Sequence, residues 1–356
     1  MPMPNKKPTP QPVAGLDELQ RQLEVFARAN YGDGAHVQNL RGMEAGHAGL
    51  SFGFTIAAPN GGGEDLVMRL APKGIRLRGN TDVYRQAPLL RALHKAGLPV
   101  PAVRYAGRGA ESTDPNWFET PFIMVEKRPG GIYFPWQPEA DMTNAGQDPQ
   151  AYWHQAMETL IEIHSYDWRS DLNDWQPPEG LEAEITRWDR IIAQSPEPAW
   201  IDQAHITREL LLKTLPVDQK IGLFHGDYQP GNILYHNGQL EAVLDWEISG
   251  IGSPLLDVGW FLMIGDRESW SDSWKPASSP VVADMVAMYE DGMGFSCPEV
   301  PWYRALAGYR LGAIGCLNVK LHRRGQREDI IWEHFATAIP RLFGRAAELL
   351  HDYETS

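Results

Sequence analysis

The sequence predicts an α+β protein: a small sheet-rich part, then a larger, mainly helical part that holds one short β-rich island. Three observations lead there. The apolar period switches from three-and-four spacing over 15–30 to strand-like runs through 50–71 and 100–127, returns to helical spacing from 155 to 215, and breaks again between 220 and 246. Gly and Pro clusters punctuate the switches at GGGE (61–64) and RPGG (128–131), and Asn237-Gly238 marks a hairpin. The chain has 356 residues, 43% hydrophobic and 22% charged, enough for roughly two domains with buried cores.

Residues 1–14 are Pro-rich and polar and read as a disordered tail; two lysines with no apolar run behind them do not make a signal peptide. Leu16, Leu19, Leu23 and Phe26 repeat at helical spacing over 15–30. Strands are expected at 50–58 and 65–71, a helix over 81–98 that Pro88 must kink or begin, and strands at 100–107 and 121–127. These elements make a sheet-rich N-terminal lobe, 15–127, and a hinge is expected near 127–131. The C-terminal lobe, 128–356, carries helices at 155–164, 181–194 and 205–215, the island KIGLFHGD, NILYH and LEAVLDW, then helix from 253 onward.

With 46 acidic against 32 basic residues the net charge is −14, which argues against nucleic acid and anionic membrane surfaces, since both want clustered Lys and Arg. Cys297 and Cys316 are the only cysteines and sit at no zinc spacing, so reduced thiols in a cytoplasmic protein are expected. No stretch approaches the ~20 apolar residues of a membrane span. Nothing in the sequence calls for an obligate protein partner.

The informative stretch is 222–257, GLFHGDYQPGNILYHNGQLEAVLDWEISGIGSPLLD. Asp227 and Asn232 share a loop between two apolar runs, and Asp245 ends the next. Hard oxygen donors of this kind suit Mg²⁺ that shares its remaining sites with phosphate and water. The pattern H-G-D-x-x-x-x-N followed by D-W-E resembles the signature of the aminoglycoside phosphotransferase and choline kinase family, over roughly 36–265. That resemblance implies a two-lobed, protein-kinase-like fold, ATP and Mg²⁺ as cofactors, and a small-molecule hydroxyl as acceptor. By position it implies Asp227 as catalytic base, Asn232 and Asp245 as Mg²⁺ ligands, and His225 and Asp257 as supports of the loop. Only eleven residues separate Asp245 from Asp257, too few for a long activation loop with a peptide-docking surface, so a small-molecule kinase is expected.

On the nucleotide side, Gly46, Gly49 and Ser51 of EAGHAGLSFGF could lay backbone N–H groups over phosphates. The family usually places a Lys in the following strand and a Glu on the next helix; here those positions hold Arg69 and Gln86. Arg can still grip phosphate, while Gln86 offers a weaker acceptor than a carboxylate, with Asp82 one turn earlier. The resemblance also implies an adenine against the strand end at Met124, bonded to the backbone of Val125 and Lys127.

The acceptor is least legible. Residues 302–327 hold Arg304, Arg310, Lys320, Arg323, Arg324 and Arg327 with no acid, a local reversal that points to an anionic acceptor or to a basic solvated helix face. A polycationic aminoglycoside would be repelled by such a lining. The wording HGDYxPGN…AVLDWE and the Arg at the Lys position most resemble kinase domains attached to some acyl-CoA dehydrogenases, which implies a hydroxyacyl-CoA. The alternatives are an aminoglycoside-type antibiotic kinase and a non-catalytic nucleotide-binding module. The aromatic run IYFPW (132–136) could cover the pocket or fill core.

Overall fold

In a computed structural model the described residues are 15–43, 50–74, 79–109, 117–137 and 148–355. The expected disordered tail, Gly46 and Gly49 lie outside them. The chain divides into two compact units, residues 1–94 with 100–128, and residues 95–99 with 129–356.

The first unit opens with α1 (Leu16–Tyr31), whose Leu19, Leu23 and Phe26 form its buried stripe. Then come β1 (His36–Gly42), β2 (Leu50–Ala57), β3 (Gly63–Leu70), α2 (Gln86–Lys95), β4 (Val103–Gly107) and β5 (Phe122–Glu126). The strands make an antiparallel sheet in the order β1-β2-β3-β5-β4. Phe52, Phe54 and Ile56 of β2 alternate onto the same core as Leu66 and Met68 of β3, Met124 of β5 and the α1 stripe. Each such side chain contributes on the order of 1.5–3 kcal/mol by leaving water.

Two sequence expectations change here. Strand β1 was not anticipated: it is an edge strand, mostly exposed, and HVQNLRG carries too few apolar residues to alternate. The helix expected over 81–98 is shorter. One-turn 3₁₀ segments occupy Gly79–Thr81 and Val83–Arg85, and α2 starts at Gln86, which puts Pro88 in its first turn, where a missing N–H costs nothing. It stops at Lys95, just before Gly97 with its left-handed φ of 83°.

The second unit runs β6 (Gly131–Ile132), α3 (Pro149–His164), α4 (Trp168–Leu172), α5 (Leu181–Thr186), α6 (Asp189–Ile192), α7 (Pro198–Lys213), β7 (Gly222–Phe224), β8 (Ile233–His236), β9 (Gln239–Val243), β10 (Gly250–Gly252), α8 (Leu255–Gly265), α9 (Val282–Met293), α10 (Val300–Arg323) and α11 (Ile331–Thr355). Strands β6, β8 and β9 form one small antiparallel sheet, and β7 pairs with β10 in another. Every residue of α8 is buried, which explains why it is apolar all round rather than striped. It can lie against α10 because position 259 is Gly: a Cβ there would stand 2.4 Å from the Tyr303 carbonyl group. The aromatic run falls here, with Phe134 stacked on Trp136 and Trp136 packed against Trp270 and Trp274. No helix among the described residues is long and apolar enough to cross a membrane.

Candidate active site

The loop between β7 and β8 carries the acid predicted to act as base. Its shape starts from Asp257 in the first turn of α8, a carboxylate with no exposure. One oxygen of Asp257 accepts from the Gly226 N–H at 2.7 Å, the other from the His225 N–H at 2.6 Å, and the latter oxygen also lies 3.2 Å from His164 Nε2. Burial pushes the Asp257 carboxyl up, but the His164 bond and the charges and amides around it outweigh that and hold it below the usual carboxylate range. Two orphan loop donors are thus satisfied by one side chain.

At Gly226 the chain turns through φ +89°, and a Cβ there would meet the Ile248 carbonyl oxygen at 2.6 Å, so only Gly fits. His225 is fully buried against Trp246; its Nε2 donates to the Leu244 carbonyl at 2.8 Å, and its Nδ1 accepts from the Asp227 N–H at 3.2 Å. That pair of bonds fixes the ring's orientation, with Nε2 turned to the carbonyl and Nδ1 to the loop amide. Tyr228 anchors the loop from below by donating to the Ala156 carbonyl of α3 at 2.6 Å.

Asp227 itself is half-buried. Its Oδ1 accepts from Trp260 Nε1 at 2.8 Å and Gln229 Nε2 at 2.7 Å, and its Oδ2 accepts from Asn232 Nδ2 at 2.8 Å. A carboxylate has about four acceptor positions; among the described residues three are filled, and the fourth, on Oδ2, takes no donor. Desolvation raises the Asp227 carboxyl above its ordinary value; the neighbouring His225 ring and the Gln229 and Asn232 bonds oppose the rise, and the Asp245 charge adds to it. A raised pKa makes a stronger base, which suits proton abstraction.

Asn232 Nδ2 also donates to the Asp227 carbonyl at 2.9 Å, so both amide hydrogens are spent on Asp227 and the side-chain oxygen is turned away from it. The Asn232 carbonyl accepts from the Leu244 N–H at 2.8 Å, which ties the loop to the chain one residue before Asp245. Asp245 stands in the left-handed region, φ 63° and ψ 57°, a local strain that Asp tolerates better than most residues. No group of three or more His, Cys, Asp or Glu among the described residues forms a metal cage. An Asn oxygen and a carboxylate are instead the sparse hard-oxygen set that Mg²⁺ takes when phosphates supply the remainder.

In the first unit, Ser51 of β2 lies directly across from Arg69 of β3, so both point from one face of the sheet. Ser51 Oγ is buried with no hydrogen-bond partner among the described residues. A hydroxyl and a guanidinium carried on one face of a sheet are donor chemistries that suit an anion. Gln86 is buried at the start of α2, and Met124 is fully buried core. The expected adenine contact to Lys127 needs correction: its N–H already donates to the Asp65 carbonyl at 2.9 Å, and a backbone donor spent within a sheet is not offered to a base. Val125 is paired with Val67 in the β3–β5 ladder, and a carbonyl there has a second lone pair.

A second correction concerns the basic stretch. Arg304 is buried on Asp266 at 2.7 Å, Arg310 faces Glu184 at 3.2 Å, Arg323 bridges Glu197 and Glu333 at 2.8 Å each, Lys320 donates to Gln194 and Arg327 to Asn318. Of the six cations, these five hold acids or amides of neighbouring segments, so the stretch no longer argues for an anionic acceptor. Sequence reading missed Trp260, Gln229 and His164 as partners of the loop. Gln229 stands two residues after Asp227 and could have been weighed; His164 carries no local signal.

A buried acid thus braces a loop whose second acid is held by three side-chain N–H donors, one of them from Asn232, with Asp245 near enough to act on its charge. The comparisons give the family. The model of the phosphotransferase enzyme family matches residues 47–306, and the chain belongs to that family. Acyl-CoA dehydrogenase family member 10 of Mus musculus is 30% identical over 269 aligned positions, which cover 70% of this chain and 24% of that protein. The chain thus spans about a quarter of the length of that curated relative. Among solved structures, a candidate aminoglycoside phosphotransferase from Ralstonia eutropha superposes with a TM-score of 0.73 at 18% identity, covering 93% of this chain and 98% of that one. A thermostable mutant of aminoglycoside phosphotransferase APH(4)-Ia, in ternary complex with ADP and hygromycin B, superposes with 0.58 at 16% identity, covering 93% and 98%. The fold is the kinase-like α+β fold that the motif implied.

Proposed function

We propose that the protein transfers the γ-phosphoryl group of ATP to a hydroxyl of a small molecule, with Asp227 as the base. The observation that carries this is the Asp227 carboxylate, bound by three side-chain N–H donors with one acceptor position left on Oδ2. An acceptor hydroxyl bonded there would give its proton to Oδ2 as its oxygen bonds the γ-phosphorus and the bond from that phosphorus to the β–γ bridging oxygen breaks, releasing ADP. Positioning and charge neutralisation supply most of the acceleration in such a transfer. Mg²⁺ would be held by the Asn232 side-chain oxygen and Asp245, where it would neutralise phosphate charge. In the first unit Arg69 and Ser51 would bind phosphate oxygens. An ADP-bound relative of the same fold supports the nucleotide part.

Hydroxyacyl-CoAs are the first acceptor class to test, and the support for them is the identity to an acyl-CoA dehydrogenase family member. An antibiotic acceptor is favoured instead by the hygromycin B complex of a structural neighbour. Phosphoryl transfer from [γ-³²P]ATP to a panel of hydroxyacyl-CoAs, amino alcohols, sugars and aminoglycosides separates these readings. A labelled product that vanishes in Asp227→Ala supports the reading. Nucleotide binding with no Asp227-dependent product across the panel favours a non-catalytic module.

A further inference from the structure

Arg310 was singled out in the sequence as a possible substrate contact, yet it is 5% exposed and points at the catalytic loop. Its Nη2 donates to the Gly226 carbonyl at 3.0 Å, the peptide that only Gly can shape. Its guanidinium lies 4.7 Å from the centre of the Trp260 ring. Its Nε stands 3.2 Å from Glu184 Oε1, an ion pair by distance that lacks hydrogen-bond alignment, and Glu184 is held in turn by Arg187 at 2.7 Å. Trp260, 3% exposed, donates its indole N–H to Asp227 Oδ1. One cation thus grips both the backbone just before Asp227 and the ring that binds its carboxylate.

We propose that Arg310 and Trp260, with Glu184 behind them, are positioning residues that aim Asp227 by anchoring Oδ1 and leaving Oδ2 to the acceptor hydroxyl. This rests on the phosphotransferase reading above. The elements involved are rigid: Trp260 sits in a fully buried helix, Arg310 inside a 24-residue one, and Glu184 on α5. A cation over one face of an indole draws on its π density and polarises the N–H toward an acceptor in its plane. Lys cannot replace Arg here, because an ammonium cannot lay a flat face on the Trp260 ring while it donates to the Gly226 carbonyl beside Glu184. The arrangement also explains why this cation is buried at all: a guanidinium with an acid, a carbonyl and a ring as partners is compensated, whereas an unpaired one would not persist.

The test uses the full chain, with Trp260→Phe to keep the ring and remove the N–H, Arg310→Lys to keep the charge and remove the fork, and Trp270→Phe as a control whose indole bonds the Ile264 carbonyl instead. With MgATP and the acceptor found in the panel, both site variants are expected to lose ~10- to 100-fold in kcat at unchanged KM for ATP, as for a misaimed base. The control keeps wild-type kcat. Equal kcat in wild type, Trp260→Phe and Arg310→Lys would overturn the proposal. An arm independent of turnover uses indole ¹⁵N-labelled chain, with the Trp260 signal assigned from Trp260→Phe. That proton is expected far downfield and should move upfield in Asp227→Ala and in Arg310→Lys. If it ignores both substitutions the proposal fails, whether or not the chain phosphorylates anything. If it responds while no acceptor is phosphorylated, the positioning holds and the phosphotransferase reading alone fails.

Discussion

The loop after β7 and the helix α10 carry their charges in opposite ways. The loop keeps the charge of Asp227 incompletely matched: desolvation and the Asp245 charge raise its carboxyl, and among the described residues one of its acceptor positions takes no donor. Helix α10 has an acid-free run of cations, yet Arg304, Arg310 and Arg323 all end on carboxylates from other segments. A run of one charge in sequence is therefore a poor guide to the charge a ligand would meet. A short-range pattern that fixes relative position is a better one. Arg310 belongs to both regions, which is why it is the most informative of the cations.

The comparison can be broken at its strongest point first. Asp227→Ala should lower kcat at least ~100-fold while leaving ATP binding intact, read by turnover against calorimetric titration with the nucleotide. Retained turnover would mean the loop's acid is not the base. Next is the brace. Asp257→Asn removes a charge on which two loop amides and His164 converge, and should cost about 3 kcal/mol in denaturant unfolding. Because the Asp257 carboxyl is held below its ordinary range, its contribution is present above about pH 4 and is lost as pH falls through the lowered value. The wild type should therefore lose stability on acidification in a window where the Asp257→Asn variant changes less. Gly226→Ala should cost about 2 kcal/mol or more, since the new Cβ meets a backbone oxygen and φ is left-handed. The smallest effect belongs to α10. Arg323→Gln, at a half-exposed pair, should cost under about 1 kcal/mol and leave the acceptor KM unchanged. A large rise in acceptor KM would restore the basic stretch as a substrate contact.

What was legible in the sequence follows from distance along the chain. Asp227, Asn232 and Asp245 fall within a span joined by two short strands, and the bonds that connect them, Asn232 to Asp227 and Leu244 to Asn232, are local. The switch from helix to strand period was likewise readable, because each core-facing element carries its own pattern. Three things were not. The Glu184 that neutralises Arg310 stands far upstream on another helix, so the cation looked unpaired. The Asp65 carbonyl that takes the Lys127 N–H lies on a strand more than sixty residues earlier, so the backbone donor looked open. Strand β1 is nearly all exposed, so nothing in its side chains announced it. In each case tertiary pairing, not local preference, decided the outcome.

The central claim is that Oδ2 of Asp227 takes the proton of an acceptor hydroxyl during phosphoryl transfer from ATP. Quenched-flow measurement of a single turnover, following ³²P from the γ position of ATP into the acceptor in wild type and Asp227→Asn, tests it most directly. The wild type is expected to phosphorylate the acceptor, and the variant to slow the transfer step at least ~100-fold at the same bound-nucleotide occupancy. An equal transfer rate in the two proteins would contradict it.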